Sequence, residues 1–215
     1  APFALIALWE EHGFDPKAMQ QAETASFSRL AESAASRNLT RVSRLRAALE
    51  ARNDEPIRTV HVIGAGKRGT EIAACIAAGG LRVTLEDPSL DQLGQAVHRT
   101  ARLCDETGRP AADRQAALDR LIPDPKGHGR SRADLVIATG DEEIADRHEL
   151  HRALADVMAR GALLVSATPH LRLAELAGLV RSPSRLAGLR FSEDVPGLVE
   201  VTAHRQTDPK TRARL

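Results

Sequence analysis

The strongest constraint on this chain lies between Thr59 and Asp87. Val60, Val62 and Ile63 form a short β-branched run, the pattern of a buried parallel strand. Gly64-Ala65-Gly66-Lys67-Arg68-Gly69 follows without a break and opens an alanine-rich helix expected from about Thr70 to Ala78. Gly79-Gly80 stops that helix, and Leu81 to Leu85 reads as a second strand ending in Glu86-Asp87. The result is a strand–turn–helix–strand unit with G-x-G-x-x-G in its turn and a carboxylate about twenty residues further on, the fingerprint of a dinucleotide-binding unit.

Each residue type has a physical task. Gly64 permits the tight turn, Gly66 lets the backbone approach a pyrophosphate, and Gly69 lets helix and strand pack closely. The helix N-terminus offers unpaired N–H groups and a partial positive charge to phosphate. Asp87 is placed to accept from an adenosine ribose hydroxyl and to repel a 2′-phosphate, which favours NAD over NADP. The competing reading is a domain of the same fold whose glycines serve packing alone. Lys67 and Arg68 occupy turn positions where apolar residues are common; they either strengthen pyrophosphate binding or mark a pocket no longer shaped for it, and we expect both to be exposed and tolerated.

The rest of the chain alternates in a way that extends this unit. Strands are expected at Asp134–Ala138, Ala162–Thr168, Leu186–Phe191 and Leu198–Ala203. Helices are expected from Gln92 to about Asp105 with Asp91 as cap, over Ala111–Leu121, from Asp141 to about Arg160, and over Leu171–Val180; Pro123–Ser131 reads as a loop. Such alternation gives an α/β fold, a Rossmann-type doubly wound parallel sheet with room for one antiparallel edge. Residues 1–52 read as helices only, with Asn53-Asp54-Glu55-Pro56 as the linker into the first strand: Phe3–His12, a second helix entered through Asp15-Pro16, and a third carrying the stripe Leu39, Val42, Leu45 and Leu49.

Composition excludes several classes. With 30 basic and 29 acidic residues in 215, no global field draws the chain to nucleic acid or to a membrane surface. Arg41, Arg44 and Arg46 decorate the third helix without interleaved aromatics, the pattern of a solvated face. No apolar run is long enough to span a bilayer. Cys75 and Cys104 have no metal or redox spacing and are expected to be buried, reduced thiols; His148, His151 and His204 are expected on an outer helix face or a terminal strand, with no metal spacing between them. The absence of a signal peptide points to a cytoplasmic protein, and the opening Ala-Pro-Phe suggests a piece of something longer.

From Thr59 to His204 the chain resembles the NAD-binding domain of 3-hydroxyacyl-CoA dehydrogenases, in particular the version inside bacterial multifunctional fatty-acid oxidation alpha subunits. Leu5–Trp9, Gly13-Phe14-Asp15-Pro16-Lys17-Ala18-Met19 and Ala35–Val42 are similar to the helical connector after the enoyl-CoA hydratase module of those subunits. The resemblance implies a connector over 1–55, an NAD-binding domain over 56–205 and a basic tail over 206–215, with the family's C-terminal helical domain absent from the sequence. It implies NAD as coenzyme, a 3-hydroxyacyl-CoA as substrate, and β-oxidation as the setting.

It also assigns roles. The family's orienting glutamate matches Glu142, with Ala138 replacing a glutamate upstream, and its cofactor-facing lysine matches Arg147. The family's Ser-Asn-Thr-Ser-Ser reads Ser166-Ala167-Thr168-Pro169-His170, which retains Ser166 and Thr168, replaces the asparagine by Ala167 and puts Pro169 where the family has the serine that holds substrate. The Gly-x-His-Phe-Phe-Asn-Pro motif reads Gly188-Leu189-Arg190-Phe191-Ser192-Glu193-Asp194, which puts Arg190 at the position of the general base. A guanidinium with a pKa above about 12 takes no proton at neutral pH. Two alternatives stay open: His170 replaces the base, or Arg190 pairs with Glu142 and the domain serves as a non-catalytic scaffold.

Overall fold

The structure, a computed structural model, describes residues 2–50, 56–108, 110–139, 144–168, 172–191 and 199–215. The chain divides into two units, Ala1–Asn53 and Asp54–Leu215.

Every element of the first unit is a helix: α1 (Pro2–His12), α2 (Pro16–Ala31) and α3 (Ala34–Glu50). Asp15 caps α2 by accepting from the N–H groups of Lys17 at 3.0 Å and Ala18 at 3.1 Å. Pro16 sits in the first turn, where its missing N–H costs nothing. Phe3, Trp9, Phe27, Leu39 and Val42 are exposed, so the apolar stripe of α3 forms on an open face.

The second unit is built on one sheet. Its strands are β1 (Thr59–Ile63), β2 (Arg82–Glu86), β3 (Leu121–Asp124), β4 (Leu135–Ala138), β5 (Leu163–Ser166), β6 (Leu186–Phe191) and β7 (Val199–Ala203). The spatial order is β3-β2-β1-β4-β5-β6-β7; the first six are parallel and β7 runs antiparallel to β6. The helices are α4 (Lys67–Ala78), α5 (Leu90–Glu106), α6 (Ala111–Arg120), α7 (Ile144–Val157), α8 (Leu173–Ala177) and α9 (Pro209–Arg214). This is a doubly wound Rossmann-type sheet, and its order reverses direction between β1 and β4. At that point loops diverge from neighbouring strands and leave a crevice at the carboxyl ends.

Alternation along the strands feeds two cores. Val60, Val62, Val83, Leu85, Leu135 and Ile137 point to one face and pack with Ile72, Ala73 and Ala77 of α4 and Leu93 and Ala96 of α5. Ile63, Val136 and Leu164 point to the other face and meet Leu154 of α7 and Leu176 and Ala177 of α8. Alanine on α4 keeps that helix close to the sheet. The basic tail folds as α9, capped by Asp208, whose carboxylate accepts from Lys210 N–H at 2.8 Å. It is docked to the turn that precedes β6 by Thr211 Oγ1, which donates to Ser184 C=O at 2.9 Å.

Four local expectations are corrected. Leu121–Asp124, read as the end of a helix and the start of a loop, is β3, paired in parallel with β2. Pro123 disguises it, yet an edge strand tolerates a residue without an N–H. The cap of α5 is Ser89, which accepts from Gln92 N–H at 3.3 Å, rather than Asp91. Cys104 is buried but Cys75 is exposed, and neither forms a disulfide. His151, placed by sequence on an outer helix face, is buried at 1% exposure.

Candidate coenzyme site

The glycine turn begins where β1 ends. Gly64 has φ of +98°, which an L side chain rarely adopts. Its N–H donates to Glu86 C=O at 2.8 Å, tying the turn to the end of β2. Thr139, after β4, donates from Oγ1 to Ile63 C=O at 2.8 Å and so fixes the turn from the other side. A Cβ on Gly69 would collide with the Gly64 carbonyl oxygen and lie 2.7 Å from Thr139 Oγ1, so only glycine permits this approach of α4 to the strand. A Cβ on Gly66 would meet nothing within 4 Å. That opening is a cradle at the N-terminus of α4, where Gly66 is the cap residue and no side chain caps the first turn.

Asp87 stands beside this cradle. Its Oδ2 accepts from Ala65 N–H at 3.0 Å and its Oδ1 from Ser89 N–H at 2.9 Å. Two oxygens carry about four lone-pair sites, so the carboxylate keeps capacity for a hydroxyl donor. A cavity of about 320 Å³ opens next to it, lined by Ile63, Gly64, Glu86, Asp87, Pro88, Arg130 and Leu150. Lys67 and Arg68 are exposed, as expected from sequence. They diverge: Lys67 lines a cavity of about 330 Å³ with Gly66, Thr70 and Arg102, while Arg68 reaches a different one.

This third cavity, about 160 Å³, lies over the carboxyl ends of β5 and β6 and is lined by Arg68, Ser166, Ala167, Thr168, Gly188, Arg190 and Thr202 among others. Ser166 is 6% exposed and its Oγ has no hydrogen-bond partner among the described residues. An orphaned buried hydroxyl costs about 1–3 kcal/mol until something pairs with it. Ala167 is buried and presents only a methyl group. Arg190 is largely exposed, and its Nε lies 3.2 Å from Glu200 Oε2 on β7. Glu142 and His170 lie outside the described residues, as does the side chain of Arg147, so the suggested Arg190–Glu142 pair is not among the described contacts.

Sequence reasoning missed a buried polar network against the first cavity. His61 on β1 and Thr84 and Glu86 on β2 share the sheet face opposite α4, and His61 and Thr84 are partners in register. His61 Nδ1 lies 2.8 Å from Thr84 Oγ1, and Nε2–H donates to Glu86 Oε2 at 2.8 Å. Arg130, from the short turn His128–Ser131, donates to the same carboxylate twice, through Nε to Oε2 at 2.7 Å and through the second nitrogen to Oε1. Burial pushes the Glu86 carboxyl up, but the hydrogen bonds from Arg130 and His61 and their charges prevail and hold it at about 2. Gly129 is required here, because a Cβ would collide with Thr84 Oγ1 and His61 Nδ1. Its N–H donates to Asp124 Oδ2 at 2.6 Å. Burial raises the Asp124 carboxyl, and the N–H groups of Gly129, His128 and Lys126 bring it below the ordinary value. The signal in the sequence was a histidine inside a β-branched run, paired by register with a Thr-x-Glu on the next strand.

A glycine turn of this kind at a topological switch point holds a pyrophosphate in Rossmann-type dinucleotide-binding domains, and that is the class of this domain. Comparison with known proteins is more specific. The family model described as the 3-hydroxyacyl-CoA dehydrogenase, NAD binding domain, matches residues 59–215, and the chain belongs to that family, whose coenzyme is NAD. It is 35% identical over 153 residues to 3-hydroxyadipyl-CoA dehydrogenase of Escherichia coli (strain K12), covering 68% of this chain and 32% of that protein. It is 25% identical over 171 residues to the fatty acid oxidation complex subunit alpha of Shewanella baltica, covering 76% of this chain and 24% of that protein. The crystal structure of 3-hydroxybutyryl-CoA dehydrogenase from Escherichia coli K12 superposes with a TM-score of 0.67 at 31% identity, over 73% of this chain and 34% of that one. The chain therefore spans about a third or less of the length of these relatives. Among the described residues no helix is long and apolar enough to cross a membrane, and no group of side chains is arranged to hold a metal ion.

Proposed function

We propose that this domain binds NAD and that its copy of the family's active site is silenced for oxidation of a 3-hydroxyacyl-CoA. The observation that carries the first half is the open cradle at Gly66, with the uncapped first turn of α4 behind it and the Asp87 carboxylate beside it. Gly64, Gly66 and Gly69 shape the pyrophosphate site. The N–H groups of α4 donate to its oxygens, Lys67 and Arg68 add positive charge, and Asp87 accepts from the adenosine ribose. Arg147 completes the cofactor side by family resemblance. Bound NAD supplies a hydride acceptor; this chain's residues orient it and receive the substrate oxygen.

The second half rests on Arg190. It stands where the family has its general base, holds a permanent positive charge and pairs with Glu200. Loss of a general base costs about 10²–10⁴ in rate. Ala167, with neither donor nor acceptor on its side chain, and Pro169 remove two more polar groups that the family places on the reacting oxygen. A second reading is favoured by one observation: Ser166 keeps a buried hydroxyl, unpaired among the described residues, that lines the cavity. In that reading the site still receives a substrate oxygen, Glu142 orients a replacement base, and His170 is that base.

We place the domain in a cytoplasmic, multifunctional fatty-acid oxidation protein, beside an enoyl-CoA hydratase module and a C-terminal helical domain that completes the acyl-CoA pocket. The test joins binding to turnover with acetoacetyl-CoA in that full-length protein, in a background without any other dehydrogenase copy. NADH binding without NADH consumption, together with at least tenfold gain in Arg190→His, supports the silenced site. Consumption at an ordinary enzymatic rate of about 10 s⁻¹, abolished by His170→Ala, overturns it in favour of the second reading.

A further inference from the structure

We infer that Arg130 is an adenine-binding residue, a flat wall of the coenzyme site that Glu86 and His61 hold in place. The inference rests on the coenzyme reading above and names a residue that neither the glycine fingerprint nor the family motifs contain.

The geometry of the cavity beside Asp87 carries the argument. Gly64 marks the pyrophosphate turn and Asp87 the ribose acceptor, so the space reached past Asp87 is where the base of the same nucleotide must go. That space is a cavity of about 320 Å³ bounded by Pro88 and Arg130 and floored by Ile63 and Glu86. A purine is planar, neutral and hydrogen-bonds only at its edges, so its faces need apolar or planar walls. Pro88 is apolar. The Arg130 guanidinium is planar, and guanidinium groups stack on aromatic faces as ammonium groups do not.

Arg130 is unusually well held for an arginine on a short turn. Two of its nitrogens are committed to the Glu86 carboxylate, and that carboxylate is itself fixed by His61 Nε2 at 2.8 Å. His61 is wholly buried and tied through Nδ1 to Thr84. The side chain of Arg130 therefore loses little further freedom when a ligand arrives, and a preorganised wall contributes more to affinity than a flexible one. The pairing has a second consequence. Arginine near the end of β2 commonly accommodates a 2′-phosphate in NADP-binding relatives of this fold. Here Glu86 neutralises the guanidinium and takes its donor fork, so Arg130 serves the base without recruiting that phosphate, in accord with Asp87.

The test separates the two halves of the coenzyme. Calorimetric titration of the 215-residue chain with NADH, ADP-ribose and NMNH is compared with Arg130→Ala and Arg130→Lys, with thermal unfolding as the control for folding. The lysine variant keeps a cation for Glu86 and removes only the planar fork. We expect Arg130→Ala to weaken ADP-ribose and NADH about tenfold, Arg130→Lys to weaken both at least threefold, and NMNH, which lacks adenosine, to stay within twofold. Unchanged ADP-ribose affinity in folded variants overturns the inference while leaving the coenzyme reading intact. So does an equal loss for NMNH and ADP-ribose, which marks a general structural role. Failure of the wild-type chain to bind NADH or ADP-ribose overturns the coenzyme reading, and this inference with it.

Discussion

Glu86 shows how a single side chain can carry both stability and site geometry. It is 8% exposed, yet it accepts from His61 and from Arg130 and remains ionised. Its carboxyl is held at about 2, below the ordinary 4.5 of a free glutamate, so the unfolded chain takes up the proton first as pH falls. The stabilisation is complete above about pH 4.5 and disappears as pH drops toward 2. The gap between those values is worth about 3 kcal/mol. Urea unfolding followed from pH 6 to pH 2.5 should show stability falling steeply below pH 4.5, and Glu86→Gln should flatten that part of the curve. An identical pH profile in the variant would show that Glu86 does not carry the effect. None of this was legible in the sequence, where Glu86 reads only as the neighbour of Asp87. Its role depends on which strand face it occupies and on a turn more than forty residues away. Asp87, in contrast, was legible because spacing from the glycines alone defines its place.

At the scale of elements, the strand–turn–helix unit from β1 to β2 was the most readable part, since glycine, alanine and β-branched residues each act there through local geometry. The structure gives Gly69 a steric reason: its missing Cβ is the space occupied by the Gly64 carbonyl. Gly69→Ala must therefore push α4 away from β1, which predicts a loss of about 1–3 kcal/mol, the cost of overpacking, and weaker NADH binding as the helix N-terminus moves. Chemical unfolding measures the first and calorimetry the second; an alanine variant as stable as wild type would contradict the packing account. Sequence pattern failed where local and tertiary signals diverge. β3 is four residues long and contains Pro123, and only pairing with β2 makes it a strand. His151 sits on a helix of mixed polarity, and its burial, which periodicity did not reveal, decides its environment.

For the whole molecule, the fold and the family were written in the order of motifs along the chain, and the parallel sheet with its antiparallel edge confirms the fold. The two ends of the crevice differ. One carries Gly64, Gly66, Gly69 and Asp87 beside the buried network of His61, Glu86 and Arg130. The end over β5 and β6 keeps Ser166 but carries Arg190, paired to Glu200, where the resemblance expects a base. The domain is thus read as one that retains coenzyme binding while its chemistry has lapsed, and coenzyme binding is the claim on which the rest depends. Calorimetric titration with NADH, with NADPH as the comparison, tests it most directly. The account predicts micromolar binding of NADH and at least tenfold weaker binding of NADPH, because the role proposed for Asp87 is to accept a ribose hydroxyl and repel a 2′-phosphate. Binding of neither nucleotide would contradict it and leave the glycine turn as a packing device alone.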